Sequence, residues 1–224
     1  DLWSILAFAM PGALGARAAF QKTFGKTADG FARQRLSARV RPFLLRRTKT
    51  QVAQDLPPRI EEDLICELEG VQRDLYRAEY KKARTLLLKV KTSADLDQLR
   101  FHFLTSLLRL RQICCHPGLI DAEHSNMPSA KLDALMERIE ELADEGHQVL
   151  VFSQFVEMLK IIRERLEAGG IGHLILTGAT ENRAELVDKF QRDPTKTVFL
   201  LSLKAAGFGL NLTAASYAIL FDPW

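Results

Sequence analysis

The chain has 224 residues, of which 47% are hydrophobic and 26% are charged. This balance is typical of one large globular domain or two small ones, and it excludes an intrinsically disordered chain. Its apolar runs fall short of the ~18 residues of a membrane-spanning helix, and its first residues lack the pattern of a signal peptide. We therefore expect a soluble intracellular protein that does not contact a membrane.

Positive charge is concentrated in the first part of the chain. The net charge is only +3, but residues 1–50 contain ten Lys or Arg and two acidic residues, a local charge of +8. Among these cations, Arg33, Arg35, Arg39 and Arg41 are spaced along one predicted helix. Such a surface suits a polyanion such as DNA, although a run of charges is more often only a solvated surface.

In chain order, residues 1–41 are predicted to form helices, and residues 43–45 a short apolar strand. Leu56-Pro57-Pro58 is the clearest linker, since consecutive prolines continue neither a helix nor a central strand. The sequence therefore predicts a boundary near residue 57, with one domain over residues 1–56 and another over residues 57–224.

A helical insertion is predicted over about residues 70–127. Residues 60–68 suit a strand, and the apolar periodicity of residues 71–113 predicts two helices that break near residues 92–95. After this insertion, we expect Ser129 to cap a helix over residues 130–145 that Gly146 ends.

The remaining residues alternate between strands and helices. Continuous runs of Val, Leu, Ile and Phe predict strands, separated by helices of about ten residues. The predicted strands cover residues 149–152, 174–176, 198–201 and 217–221. This alternation indicates an α/β fold with a parallel sheet covered on both faces, in which the last strand or a neighbour has an unpaired edge.

Cys66 and the adjacent Cys114 and Cys115 argue against a disulfide framework, because their number is odd and sequence neighbours rarely bridge. His116 follows the adjacent pair and raises the alternative of a zinc site, but no CxxC motif or second cluster would supply further ligands. We expect helix-face thiols in a reducing compartment and no structural metal.

Three short sequences imitate nucleotide-binding motifs without the required context. Residues 25–27, GKT, resemble the end of a Walker A loop, but Phe20 stands where its first glycine belongs. Residues 144–147, DEGH, follow an amphipathic helix, whereas a DExH box follows a strand. Leu212 occupies the third glycine position of a Rossmann fingerprint that would start at Gly207. The chain by itself therefore lacks a triphosphate site.

Polar turns follow the predicted strands at the edge where open parallel sheets bind ligands. These turns are Ser153-Gln154, residues 177–180 and residues 202–204. They suit contacts to a phosphate backbone without base specificity, and ordinary helix capping by Ser and Thr is the alternative. Arg183 begins a predicted helix, where a cation opposes the helix dipole; it either binds an anion or is a plain surface arginine.

Eight sequence blocks, in order, resemble Swi/Snf-type ATPases of helicase superfamily two. The blocks are DLWSILAFAMPG, RPFLLRRTKTQVAQDLPPR, LRQICCHPGL, SAKLDAL, QVLVFSQF, LTGAT, VFLLSLKAAGFGLNLTAA and FDPW. The resemblance implies two RecA-like lobes that hydrolyse ATP between them and translocate on double-stranded DNA. Residues 1–56 would then end the first lobe with a helical protrusion, and residues 57–224 would form a truncated second lobe.

The resemblance also implies roles for individual residues. Those expected at the DNA backbone are Ser153, Gln154, Gly178, Thr180, Arg183, Ser202 and Lys204. Gly207, Gly209 and Asn211 would shape the loop that links DNA to the ATP cleft. ATP and Mg²⁺ would be bound mainly by the first lobe, whose Walker A lysine and DExH acids would precede Asp1, and the arginine finger would follow Trp224.

Two departures from the family pattern stand out: Ala206 replaces a common glycine, and the segment from Gly178 to Arg183 is short. Because the phosphate cradle and the arginine finger would lie outside the chain, we expect it to hold no catalytic residue and to be inactive alone. The expected partners are double-stranded DNA and DNA-bound proteins, at the nucleoid of a bacterium or in a eukaryotic nucleus. A non-catalytic DNA-binding or partner-docking module is the alternative.

Overall fold

A computed structural model describes residues 1–25, 29–52, 59–88, 93–207 and 209–223. It divides the chain into two units, Asp1–Glu62 and Asp63–Trp224. The linker predicted at residues 56–58 lies outside the described residues, so the position of the domain boundary stays a prediction. No helix within the described ranges is long and apolar enough to cross a membrane.

Helices build the first unit, as the sequence predicts. They are α1 (Leu2–Ala9), α2 (Arg17–Phe24), α3 (Gly30–Val40) and the single turn α4 (Lys49–Val52). Asp29 caps α3 by accepting a hydrogen bond from the Ala32 N–H at 2.7 Å. A small apolar core forms around Leu6, Leu14 and Val40. The arginines of α3 are exposed.

The short strand predicted at residues 43–45 does not form. Arg41–Phe43 is instead a turn of 3-10 helix. Leu44 and Leu45 are 58% and 81% exposed. An apolar run becomes a strand only when a neighbouring strand pairs with it, and the described part of this unit supplies none.

The strand predicted at residues 60–68 is also wrong. Residues 59–69 are irregular in the structure. Ile60 and Ile65 are 89% and 88% exposed, so these apolar side chains face no sheet. Local apolar character was again insufficient without a partner strand.

The predicted helical insertion is confirmed as α5 (Gly70–Leu88) and α6 (Ser93–Cys115), followed by two turns of 3-10 helix at Pro117–Leu119 and Ala122–His124. Helix α6 begins inside the predicted break at residues 92–95, of which residue 92 lies outside the described residues. The helix α7 (Ala130–Asp144) comes next, and Ser129 caps it as predicted by accepting from the Leu132 N–H at 3.4 Å.

Gln72 ties the base of the insertion together. Its side chain is 3% exposed. Its Nε2 donates to the Ile113 carbonyl oxygen at 2.7 Å, and its Oε1 accepts from the Ala130 N–H at 3.3 Å. The start of α5 is therefore joined to the end of α6 and to the start of α7 by one buried amide, whose polar atoms need such partners.

The predicted parallel sheet is confirmed. Its strands are β1 (Val149–Ser153), β2 (His173–Leu176), β3 (Val198–Ser202) and β4 (Tyr217–Leu220), in the spatial order β2-β3-β1-β4. The connecting helices are α8 (Val156–Ala168), α9 (Arg183–Arg192) and the single turn α10 (Leu203–Ala206). Strand β4 lies at one edge, and Leu220 on it is 58% exposed, as expected of an edge strand.

Strand β3 is buried on both faces, which explains its continuous apolar sequence. Leu200 belongs to a core that also contains Ile139 of α7 and Ile162 of α8. Phe199 belongs to a second core with Phe190 of α9, and the two ring centroids are 5.0 Å apart. Helices therefore cover both sides of the sheet.

Residues 144–147 form a helix end, as predicted, and not a DExH box. Gly146, with φ +77°, follows α7 in the left-handed region. Its N–H donates to the Ala143 carbonyl oxygen, and the His147 N–H donates to that of Leu142. This pair of bonds is a Schellman motif, which requires glycine or asparagine at the left-handed position.

Candidate nucleic-acid interface

The polar turns after β1, β2 and β3 lie along one edge of the sheet. All strand pairings are parallel, so the carboxyl ends of the strands point the same way. Ser153 at the end of β1 stands directly opposite Ser202 at the end of β3, and Leu176 at the end of β2 stands opposite Leu201. The edge predicted from the sequence is therefore assembled.

Ser153 and Ser202 are buried at this edge, with exposed fractions of 0% and 3%. The Ser153 Oγ accepts a hydrogen bond from the Phe155 N–H at 3.0 Å. The Ser202 Oγ caps α10 by accepting from the Ala205 N–H at 3.3 Å. Both hydroxyls thus satisfy local backbone groups, and their predicted role at a DNA backbone stays a prediction.

The turn after β2 presents an exposed surface. Thr180 stabilises this turn through two hydrogen bonds. Its Oγ1 accepts from the Thr177 N–H at 2.9 Å, and its own N–H donates to the Thr177 carbonyl oxygen at 3.2 Å. Gly178 is exposed within the turn, and Arg183 is exposed at the start of α9. The short segment therefore forms an ordered turn with a cation beside it.

Lys204, Gly207, Gly209 and Asn211 are exposed on α10 and in the loop that follows it. Gly209 has φ +74°, a left-handed conformation that side chains other than glycine rarely adopt. Ala206, which replaces a family glycine, is half-buried and packs against the core around Phe199 and Leu201. Since no described residue other than glycine has positive φ, this alanine is accommodated without backbone strain.

Gln154 receives support from a residue that the sequence analysis missed. Both carboxylate oxygens of Asp222 accept from the Gln154 N–H, at 3.2 and 3.1 Å, and Asp222 is only 5% exposed. The side-chain Nε2 of Gln154 is shielded from solvent and has no hydrogen-bond partner among the described residues. This contact could have been anticipated in part, because Asp222 follows β4 closely and the ends of β1 and β4 lie at the same edge of the sheet.

Of the cysteines beside His116, Cys115 belongs to the hydrophobic core and Cys114 is half-buried. Burial raises the pKa of Cys115 to about 12, and burial also raises the pKa of Cys114. Both thiols are therefore protonated at neutral pH, whereas a metal ligand or nucleophile acts as the thiolate. His116 is buried too, and its Nδ1 accepts from the Gly118 N–H at 3.0 Å.

The sequence matches two families of domains. A SNF2-related domain matches residues 1–119, and the helicase conserved C-terminal domain matches residues 130–224. The border between these matches coincides with the two 3-10 turns that follow α6.

Relatives in bacteria and animals align with almost the whole length of the chain. A Mycoplasma pneumoniae protein described as an uncharacterized ATP-dependent helicase is 33% identical over 226 residues, which are 100% of this chain and 21% of the relative. The mouse SWI/SNF-related matrix-associated actin-dependent regulator of chromatin subfamily A member 1 is 32% identical over 238 residues, covering 99% of this chain and 22% of the relative. The chain spans about a fifth of the length of these curated relatives.

Solved structures show the same fold. The Sulfolobus solfataricus SWI2/SNF2 ATPase core in complex with dsDNA has a TM-score of 0.66 and 36% identity, over 100% of this chain and 49% of that one. The C-terminal domain of the same ATPase has a TM-score of 0.61 and 36% identity, over 71% of this chain and 70% of that one. These likenesses confirm the RecA-like α/β fold, and the chain belongs to the SNF2-related family, the Swi/Snf-type ATPases of helicase superfamily two.

Proposed function

We propose that this chain is part of a DNA-dependent ATPase that translocates on double-stranded DNA and remodels or displaces proteins bound there. The observation that carries the proposal is the sheet edge, where polar turns after β1, β2 and β3 stand side by side in a member of the SNF2-related family. The similar Sulfolobus ATPase core was solved in complex with dsDNA, which supports a DNA partner.

The proposed DNA contacts use the exposed groups of this edge. Lys204 and Arg183 supply positive charge, and Gly178 allows a phosphate to approach the backbone closely. Gln154 and Thr180 are half-buried beside them. These groups suit phosphates and not base edges, so binding should depend strongly on salt and little on base sequence.

The described residues do not form a complete site for ATP and Mg²⁺. Of the GKT at residues 25–27, only Gly25 lies among the described residues, and it follows helix α2, whereas a Walker A loop follows a strand. Residues 144–147 end helix α7. We propose that this chain supplies one wall of the ATP cleft through Gly207, Gly209 and Asn211, and that residues of a longer protein supply the phosphate cradle and the arginine finger. The chain alone would then lack ATPase activity.

We infer that residues 1–56 end the first lobe and that residues 57–224 form the second lobe with its helical insertion. Support comes from the separate helical core around Leu6, Leu14 and Val40 and from the sheet-centred core of the later residues. Such an enzyme would work at the nucleoid of a bacterium or in the nucleus of a eukaryote.

The test is ATP turnover by the full-length gene product, with and without duplex DNA, over a series of salt concentrations. We expect DNA to stimulate turnover and the logarithm of the DNA-binding constant to fall with log salt at a slope of about −0.9 per phosphate contact. The isolated chain should show no turnover. DNA binding by a full-length protein without ATPase activity would instead favour a non-catalytic DNA-binding module, and a strong preference for one base sequence would contradict translocation.

A further inference from the structure

The side-chain amide of Gln191, near the end of α9, binds a distant segment through each of its polar atoms. Its Nε2 donates to the Asn211 carbonyl oxygen at 2.9 Å and to Thr213 Oγ1 at 3.1 Å. Its Oε1 accepts from the Ala214 N–H at 2.7 Å. A primary amide has two donor hydrogens and one acceptor oxygen, so Gln191 uses both kinds of group on residues 211–214.

Residues 211–214 lie outside the helices and strands and join the loop after α10 to strand β4. Their backbone groups therefore have no helix or sheet ladder to pair with, and pair instead with side chains or with water. Gln191 pairs with two of these groups, the Asn211 carbonyl oxygen and the Ala214 N–H, and its bonds add to the packing of Leu210 and Leu212 against the core.

The end of α9, where Gln191 lies, is held in place by packing and by hydrogen bonds. Phe190, next to Gln191, is fully buried, and its ring packs on Phe199 of β3. The Gln148 Nε2 donates to the Phe190 carbonyl oxygen at 2.9 Å and to that of Lys196 at 3.0 Å. These contacts join the end of α9 to the residues that precede β1 and β3. The position of Gln191 relative to the sheet is therefore fixed, and Gln191 in turn binds residues 211–214.

The described residues that follow α10, Gly207 and residues 209–211, have an anchored neighbour on either side. At their start, Ala205 of α10 is 5% exposed and belongs to the core. At their end, Asn211 is bound by Gln191. Between these ends, Gly207 and Gly209 are exposed and carry no side chain that could anchor them. Loss of the Gln191 contact would therefore loosen the end at Asn211, where only the packing of Leu210 and Leu212 would remain, without disturbing the start.

From this geometry we propose that Gln191 is a positioning residue, which holds residues 211–214 through its hydrogen bonds and thereby sets how the exposed residues Gly209 and Asn211 respond to DNA. Gln191 acts through Asn211 and touches no substrate itself. The inference rests on the proposed function, because the response to DNA is the quantity that it predicts to change.

The experiment compares Gln191→Ala and Gln191→Glu in the full-length gene product. The glutamate keeps an acceptor for the Ala214 N–H but has no hydrogen for the Asn211 carbonyl oxygen, so it removes only the donor half of the contact. We expect both variants to speed amide hydrogen exchange over residues 210–214 and to lower DNA-stimulated turnover about fivefold, the size typical of changes that alter coupling without touching a ligand. DNA-free turnover should fall by a smaller factor than DNA-stimulated turnover.

Lys189→Ala is the matched control, since Lys189 is exposed on the same helix two residues earlier, and it should leave every readout unchanged. Wild-type exchange or wild-type DNA stimulation in the Gln191 variants would overturn the inference while the proposed function stands. A fall of DNA-free and DNA-stimulated turnover by the same factor would also overturn it, because that result indicates general destabilisation. A wild-type protein without DNA-stimulated turnover would overturn the proposed function itself, and this inference with it.

Discussion

Asp222 accepts the backbone N–H of Gln154 with both carboxylate oxygens, at 3.2 and 3.1 Å, across a sequence separation of 68 residues. The bond connects the turn after β1 to the end of the neighbouring strand β4. Because Asp222 is 5% exposed, the carboxylate is positioned by its surroundings and has little freedom to bind elsewhere. It fixes the backbone of a residue that we propose to lie at the DNA.

We predict that Asp222→Ala leaves the Gln154 N–H without a partner and loosens the turn after β1. An unpartnered buried donor costs about 1–3 kcal/mol, so exchange of the Gln154 amide should speed about tenfold or more in hydrogen-exchange measurements on the full-length protein. Asp222→Asn, which keeps an acceptor oxygen, should have a smaller effect. Asp121→Ala serves as control, since Asp121 binds the Glu123 N–H from an exposed position.

The two ends of α9 offer a matched pair of arginines to test the DNA edge. Arg183 is exposed at the start of the helix, beside the turn after β2, and Arg192 is exposed at its other end, where it pairs with Asp188 at 2.9 Å. We predict that Arg183→Gln removes one phosphate contact and makes the salt dependence of DNA binding shallower by about 0.9 in log–log slope. Arg192→Gln makes the same change of charge and should leave the slope unchanged; equal slopes for both variants would refute the placement of DNA at this edge.

The sequence predicted the sheet well because β3 is buried on both faces, and β1 is buried on one face and half-buried on the other. In a run such as residues 198–201, every position is buried and therefore apolar, and that requirement is visible without a structure. Residues 43–45 and 60–68 show the limit of the same argument. Their apolar side chains, such as Leu45 and Ile60, are mostly exposed. A strand needs a partner strand, which local composition cannot reveal.

The site was predictable only at the level of the turns. Parallel strands place their carboxyl ends together, so Ser153 and Ser202 could be assigned to one edge in advance. The contacts of Asp222 and Gln191 could not be assigned in advance. The contact of Asp222 depends on β4 lying beside β1, and that of Gln191 depends on the path of residues 211–214 past α9. Neither relationship follows from the spacing of residues in the chain.

His116 predicts a pH dependence at the end of the helical insertion. Burial lowers its pKa, so the folded state favours the neutral ring, whose Nδ1 accepts from the Gly118 N–H. A lowered histidine pKa contributes stability that is present above the ordinary value of about 6.5 and is lost as pH falls below it. We expect amide exchange over residues 116–119, corrected for the intrinsic effect of pH, to be faster at a pH below about 6.5 than at a pH above it. His116→Asn, which titrates no proton there, should show the same corrected exchange at both pH values.

Alanine substitutions at Gly209 and Gly178 distinguish a loss of stability through backbone strain from a loss of DNA binding through steric hindrance. Gly209 has φ +74°, and a Cβ built there meets nothing within 4 Å, so Gly209→Ala should be destabilising through conformation alone, by about 1–2 kcal/mol. Gly178 has no positive φ and equally open surroundings, so Gly178→Ala should leave thermal stability unchanged. If a DNA phosphate approaches the turn after β2, Gly178→Ala weakens DNA binding while the protein remains as stable as wild type. Unchanged binding by this variant in a titration with duplex DNA would remove Gly178 from the interface.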